Sequence, residues 1–213
     1  FKPAAFHALN LILHLINVWL VFLVLERFLG SKEKAAAGAI LWSVAAVQQI
    51  AVGYISARST LLASTFALAA VVVTNRPGRL SLKRSAGAAG LFALSLLAKE
   101  IAFGLPLILV LRDLVLKKQA GGELKERAPL HYMSFGVAAL YLAVRVALLD
   151  QPLGTPIAPR ELYLITQARV FFLYLAKILL PTNLSLFTDV RPAENFFSFP
   201  ELLAALLIIG LAA

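Results

Sequence analysis

The stretch AAFHALNLILHLINVWLVFLVLERFL, residues Ala4 to Leu29, decides the fold class of this chain. It carries no charged residue before Glu26. A helix needs about 20 mainly apolar residues to cross roughly 30 Å of hydrocarbon. The stretch meets that length, and it therefore predicts a transmembrane helix.

The composition of the rest of the chain extends this prediction. Of the 213 residues, 61% are hydrophobic and 15% are charged, whereas soluble domains have about a quarter charged residues. We expect an all-α, polytopic membrane helix bundle with about seven or eight spans. Hydropathy places them at Ala4 to Leu29, Ala35 to Val52, Ser59 to Thr74, Ser85 to Ala98, Ile101 to Leu116, Pro129 to Leu149, Leu162 to Leu180 and from Glu201 onward.

The formal net charge of +9 indicates orientation in a membrane rather than a nucleic-acid partner. Basic residues collect in alternate connections, which we assign to the cytoplasm, while Arg58 and Lys99 fall on the opposite, outer face. The side of the segment Pro181 to Pro200 stays open. The basic residues assigned to the cytoplasm are Lys32, Lys34, Arg76, Arg79, Lys83, Arg84, Lys117, Lys118, Lys125 and Arg127.

The two ends of the sequence favour a fragment of a longer protein. The chain opens at Phe1 rather than Met and stops within an apolar run that ends at Ala213. We expect residues 1 to 213 to form a single transmembrane domain, truncated at both ends.

Four polar residues of the first predicted span, His7, Asn10, His14 and Asn17, share one helical seam. Such a seam is typical of hydrogen bonding between helices, and it would equally form the polar wall of a cavity. We expect all four to face the bundle. A metal site is not predicted, because a third ligand is missing and the chain has no cysteine.

Several cations approach the outer face. Arg58 follows Tyr54 in the turn from Gln48 to Ser59, where a helix begins, and a helix N-terminus beside an arginine suits an anion. An arginine at a membrane surface is, however, more often a snorkelling anchor. The other cations there are Lys99, Arg145, Arg160 and Arg169, against the carboxylates Glu100, Asp150 and Glu161.

Two arginines inside apolar runs are interpreted differently. Arg145 lies about one turn below the outer surface, so it must face the protein interior or reach the headgroups. Arg112 and Asp113 lie near Lys117 and Lys118, and we interpret the pair as an anchor at the cytoplasmic surface.

Three motifs, in order along the chain, resemble the tetratricopeptide-repeat transmembrane O-mannosyltransferases and their bacterial relatives. Phe6 to Asn10 with His14 and Asn17 resembles that group's FHxxNxxxHxxN helix. The turn from Gln48 to Ser59 resembles its QxxAVxYISxRS motif. The third likeness is Leu96 to Glu100, followed by Leu105, Pro106 and Asp113, with weaker echoes at Arg169, Leu180, Pro181, Leu184 and Ser185.

The resemblance implies the GT-C fold and a transferase that takes a sugar from a polyprenyl-phosphate carrier at the outer face, in a multi-pass protein of the bacterial inner membrane. Glu100 is a weak candidate for the catalytic base. No cofactor is expected beyond a divalent cation that could accompany the lipid phosphate. The candidate substrate-binding residues are Arg58, Lys99, Arg145, Arg169, Tyr54 and His7.

Two departures from the family keep other functions open. Relatives carry His-Pro and a Glu where this chain has Ala45, Ala46 and Ile50, and the family's catalytic acidic loop would precede Phe1. The first alternative is a non-catalytic GT-C-like scaffold subunit of a membrane complex. The second is a transporter or flippase of lipid-linked anionic cargo. Neither the sugar nor the acceptor can be read from the sequence.

Overall fold

The computed structural model describes residues 3–45, 48–76, 79–120, 124–148 and 160–179, and within those ranges every regular element is helical. This confirms the all-α prediction. The chain divides into two units, Phe1–Leu148 and Leu149–Ala213. The α-helices of the first unit are α1 (Pro3–Leu29), α2 (Lys32–Val44), α3 (Gln48–Gly53), α4 (Arg58–Thr74), α5 (Leu82–Ala98), α6 (Leu105–Ala120) and α7 (Ala128–Leu148), and that of the second is α8 (Arg160–Leu179).

Two helical stretches of the described chain, Ala4–Leu29 and Lys125–Leu148, are long and apolar enough to cross a membrane. The helix Arg58–Thr74 is apolar but shorter. The first of these is the stretch on which the sequence prediction began.

The predicted spans match α1, α4, α5, α7 and α8 closely, but the second and fifth are interrupted. The second prediction ran to Val52, whereas α2 ends at Val44 and Ala45 is extended (φ −57°, ψ 133°) before α3 begins. The fifth began at Ile101, whereas Glu100–Gly104 form a 3-10 turn and α6 begins at Leu105. Residues 181–200 and the span expected from Glu201 lie outside the described residues.

Local capping signals explain the sharp turn between α1 and α2. Gly30 adopts a positive φ of 63°, which costs glycine little, and its N–H donates to the Glu26 carbonyl at 3.0 Å. Ser31 then caps α2 by accepting from the Lys34 N–H, while its hydroxyl donates to Glu33. The hydrogen bond from Ser31 holds the pKa of Glu33 below its usual value.

Small buried side chains let α4 and α5 pack closely. Ala63, Ala88 and Ser95 are fully or almost fully buried, and the Ser95 hydroxyl donates to the Ala63 carbonyl at 2.6 Å. Larger side chains, including Phe92 and Leu109, complete a core that α6 and α7 share.

Hydrogen bonds define two ends of the first unit. At the Tyr54 end, which contains residues 48–60 and 99–104, Asn10 binds the Tyr54 carbonyl and Lys99 binds Thr60. At the Gly30 end, which contains residues 23–32, 72–76 and 124–128, Asn75 binds the Leu23 carbonyl. Because α7 begins at the Gly30 end, its last turn lies toward the Tyr54 end.

Candidate functional site

The polar seam of α1 binds backbone carbonyls of its neighbours. Asn10 Nδ2 donates to the carbonyls of Val52 and Tyr54 at 3.3 and 3.1 Å, and Asn17 Nδ2 donates to Leu61 at 3.2 Å. Both asparagines are fully buried. The seam therefore joins α1 to the turn after α3 and to α4, as predicted.

The two histidines of the seam differ. His14 is buried, with Nε2 3.2 Å from the Ser43 carbonyl and its ring stacked on Trp42 at a centroid distance of 5.6 Å. His7, one turn nearer the start of α1, is exposed. The prediction that all four seam residues face the bundle is therefore wrong for His7, because the turn that covers Asn10 does not cover the first turn of the helix.

Arg58 lies at the first position of α4, at the Tyr54 end. Its guanidinium lies over the ring of Phe6, 4.7 Å from the centroid, in a cation–π contact. Its Nε is buried and has no hydrogen-bond partner among the described residues. The residue before it, Ala57, provides no side-chain cap for the helix. The first turn of α4 thus has no side-chain cap and carries a partly buried cation.

Lys99 reaches the same turn from α5. It ends α5 in an extended conformation (φ −166°, ψ 140°), and its Nζ donates to Thr60 Oγ1 at 2.7 Å. The neighbouring Glu100 is exposed, and it forms no ion pair within the described ranges. Thr60 is two residues after Arg58, so the structure brings two of the four predicted cations to the head of α4.

The other two predicted cations, Arg145 and Arg169, lie on α7 and α8. Arg145 lies in the last turn of α7, and its Nη1 donates to the Tyr141 hydroxyl of the same helix at 3.4 Å. Arg169 lies on α8 of the second unit. A single cavity for all four cations stays a prediction.

The remaining predicted site residues are exposed. The Tyr54 side chain is 54% exposed, and this residue uses its carbonyl rather than its ring to bind Asn10. His7 and Glu100 are exposed as well, so all three residues present accessible polar side chains near the first turn of α4.

A buried ionic cluster at the Gly30 end was missed by the sequence analysis. Arg112 and Asp113 are each only 4% exposed, so the interpretation of this pair as a surface anchor was wrong. Arg112 donates to Asp113 Oδ1 through Nε at 2.9 Å and Nη2 at 2.7 Å. Its Nη1 donates to Thr74 Oγ1 at 2.6 Å, which ties α6 to the end of α4.

The start of α7 completes this cluster. Arg127 Nη1 lies 3.1 Å from Asp113 Oδ1, and Arg127 also donates to the Thr74 carbonyl. His131 Nε2 lies 3.2 Å from Asp113 Oδ2, an ion-pair distance without hydrogen-bond geometry. The Asp113 carboxylate thus lies within ion-pair distance of Arg112, Arg127 and His131. The signal available in the sequence was a charged pair inside an apolar run, followed by an arginine and a histidine one turn apart.

No group of three or more histidine, aspartate or glutamate side chains that could hold a metal occurs in the part of the chain that the structure describes. No family model, curated protein or solved structure matches this chain.

Proposed function

We propose that this chain is part of a polytopic GT-C-like membrane glycosyltransferase, with about seven or eight spans, that uses a polyprenyl-phosphate-linked sugar at the outer face of a bacterial inner membrane. The observation that carries the proposal is that Arg58 begins α4 while Lys99 binds Thr60 in the same first turn. Neither cation has a carboxylate within ion-pair distance among the described residues. An anion is the ligand that this arrangement favours.

The charge distribution supports placing this end outside the cytoplasm. The Gly30 end carries the basic connections of the chain, including Lys32, Arg76 and Arg127, and the positive-inside rule assigns such connections to the cytoplasm. The Tyr54 end is the opposite end of the same unit, so Arg58 and Lys99 would meet a carrier lipid of the outer leaflet.

The chemistry of sugar transfer fits this placement. Cleavage of the sugar–phosphate bond leaves charge on the carrier phosphate, and fixed cations in a partly water-excluded site stabilise that leaving group. Arg58 and Lys99 would hold the phosphate, with Arg145 and Arg169 as further contributors. Tyr54 and His7 are exposed beside them and would contact the sugar, while Glu100 is the weak candidate for the base that activates the acceptor. A divalent cation could accompany the phosphate.

Binding of polyprenyl phosphate to the full-length protein in detergent micelles tests the proposal. Arg58→Ala removes one charge-assisted contact, which should weaken binding by roughly 10- to 100-fold. Arg79→Ala, at an exposed position of the connection between α4 and α5, is the matched control and should leave binding unchanged. An unchanged dissociation constant in the Arg58→Ala protein would remove the carrier site.

A specific observation favours a non-catalytic scaffold subunit as the second candidate. Ala45, Ala46 and Ile50 stand where relatives of the resembling family carry His-Pro and a Glu, and none of the three has a group that can transfer a proton. Sugar release from a polyprenyl-phosphate donor distinguishes the enzyme from the scaffold. Donor binding without sugar release supports the scaffold, or the flippase that the interrupted helices allow. Sugar release that Arg58→Ala abolishes supports the enzyme.

A further inference from the structure

A groove at the Gly30 end has no role in the proposed function. Its volume is about 730 Å³, within the range of sites that hold small ligands. The end of α1 and the residues that follow α4 form its walls. Asn75 Nδ2 donates to the Leu23 carbonyl at 3.3 Å, and this bond fixes the two walls against each other.

Cations dominate the rim of this groove. Arg27, Lys32 and Arg76 line it together with one carboxylate, Glu26. None of these four side chains forms an ion pair within the described ranges. The rim thus carries two more positive than negative charges.

The Arg27 side chain forms no ion pair with any described residue. Its Nε is buried and has no hydrogen-bond partner in the described part of the chain. A half-buried guanidinium with no ion-pair partner among the described residues favours an anionic ligand.

The floor of the groove is apolar. Leu23 of α1 and Val72 of α4 line the groove together with the cations. An amphiphilic anion therefore matches the groove better than a fully hydrated ion, because its charged group meets the arginines while its apolar part covers the leucine and the valine.

We propose that this groove binds the phosphodiester headgroup of an anionic phospholipid of the cytoplasmic leaflet. Basic pockets between membrane helices on that side are suited to such headgroups. Arg27 and Arg76 hold the phosphate, and Lys32 adds a third positive charge. The inference rests on the membrane orientation in the proposed function but not on the carrier site, which lies at the other end of the unit.

The test measures lipid binding to the full-length protein by native mass spectrometry, from micelles that contain phosphatidylglycerol or phosphatidylcholine. A basic residue near a phosphate contributes roughly fivefold in affinity, so the variant R27Q/R76Q should bind phosphatidylglycerol about 25-fold more weakly. R79Q removes an exposed arginine of the same connection that does not line the groove, and it should change binding less than twofold. Phosphatidylcholine binding should respond to neither variant.

Three results would overturn the proposal. The first is equal binding of phosphatidylglycerol to the R27Q/R76Q and natural proteins, and the second is an equal loss of phosphatidylglycerol binding in R79Q. The third is binding of inorganic phosphate in the groove with no preference for the anionic lipid over phosphatidylcholine. If R27Q/R76Q does not fold, the single variant R76Q decides, because Arg76 is exposed. Polyprenyl phosphate binding should be retained in R76Q and lost in Arg58→Ala, so the two sites can fail independently.

Discussion

Replacing Asp113 by alanine should destabilise the protein more than any substitution of an exposed carboxylate. Its Oδ1 accepts from Arg112 at 2.7 and 2.9 Å and lies 3.1 Å from Arg127, and the side chain is only 2% exposed. At an effective dielectric constant of about 20, two unit charges 3 Å apart attract each other by roughly 5 kcal/mol before desolvation. Removing one partner of a buried ion pair generally costs about 3 to 5 kcal/mol, because it leaves the other charge uncompensated.

Unfolding of the full-length protein in detergent micelles, followed by tryptophan fluorescence, measures this loss. Asp113→Ala should lower the free energy of unfolding by about 3 to 5 kcal/mol. Asp113→Asn keeps one acceptor for Arg112 and should lose less. Glu126→Ala is the matched control, because Glu126 is an exposed carboxylate next to Arg127. The reasoning is refuted if Asp113→Ala lowers the unfolding free energy no more than Glu126→Ala does.

Three further predictions concern the seam, the orientation and the helix packing. Asn17→Leu should cost about 1 kcal/mol in the same unfolding assay, whereas His7→Leu should have no effect; equal losses would contradict the burial difference. Cysteines introduced at Arg79 and at Ser56, both exposed, should react with an impermeant reagent from opposite sides of the membrane, and labelling from one side would contradict the orientation. Ser95→Leu should destabilise the fold by about 1 to 3 kcal/mol through overpacking, more than Ser95→Ala does, and the reverse order would rule out close packing of α4 and α5.

The positions of the helices could be predicted because apolar runs and their polar interruptions are local properties of the sequence. The ends of α1, α4 and α5 lie within three residues of the predicted spans. The breaks were harder to predict. A 3-10 turn at Glu100–Gly104 is as apolar as the helix after it, so hydropathy could not separate the two.

The candidate site could be predicted only where partners follow from position on one helix. Spacing on α1 identified Asn10 and Asn17 as buried, because residues three or four apart share a face. The partners of Asp113 could not be found this way. Arg127 lies in a different element, and its approach to Asp113 depends on how α6 and α7 pack.

The resemblance to a transferase family identified sequence motifs, but it did not predict which residues contact each other. Its motifs include Arg58 and Lys99, and the structure places Arg58 and the Lys99 partner Thr60 in the first turn of α4. Tyr54 illustrates the difference: the motif highlights its side chain, whereas the contact that positions α1 uses its carbonyl.

The order in which the ionic cluster can assemble bears on the biogenesis of the protein. Arg127 and His131 follow α6 in the chain, so Asp113 is synthesised before two of its three partners. Arg112, its neighbour in the chain, donates to Asp113 Oδ1, and this pairing balances the charge of the carboxylate within α6 itself. The adjacent arginine therefore gives Asp113 a counter-charge before α7 is synthesised, and a chain that terminated between the two helices would leave the charge cluster half formed.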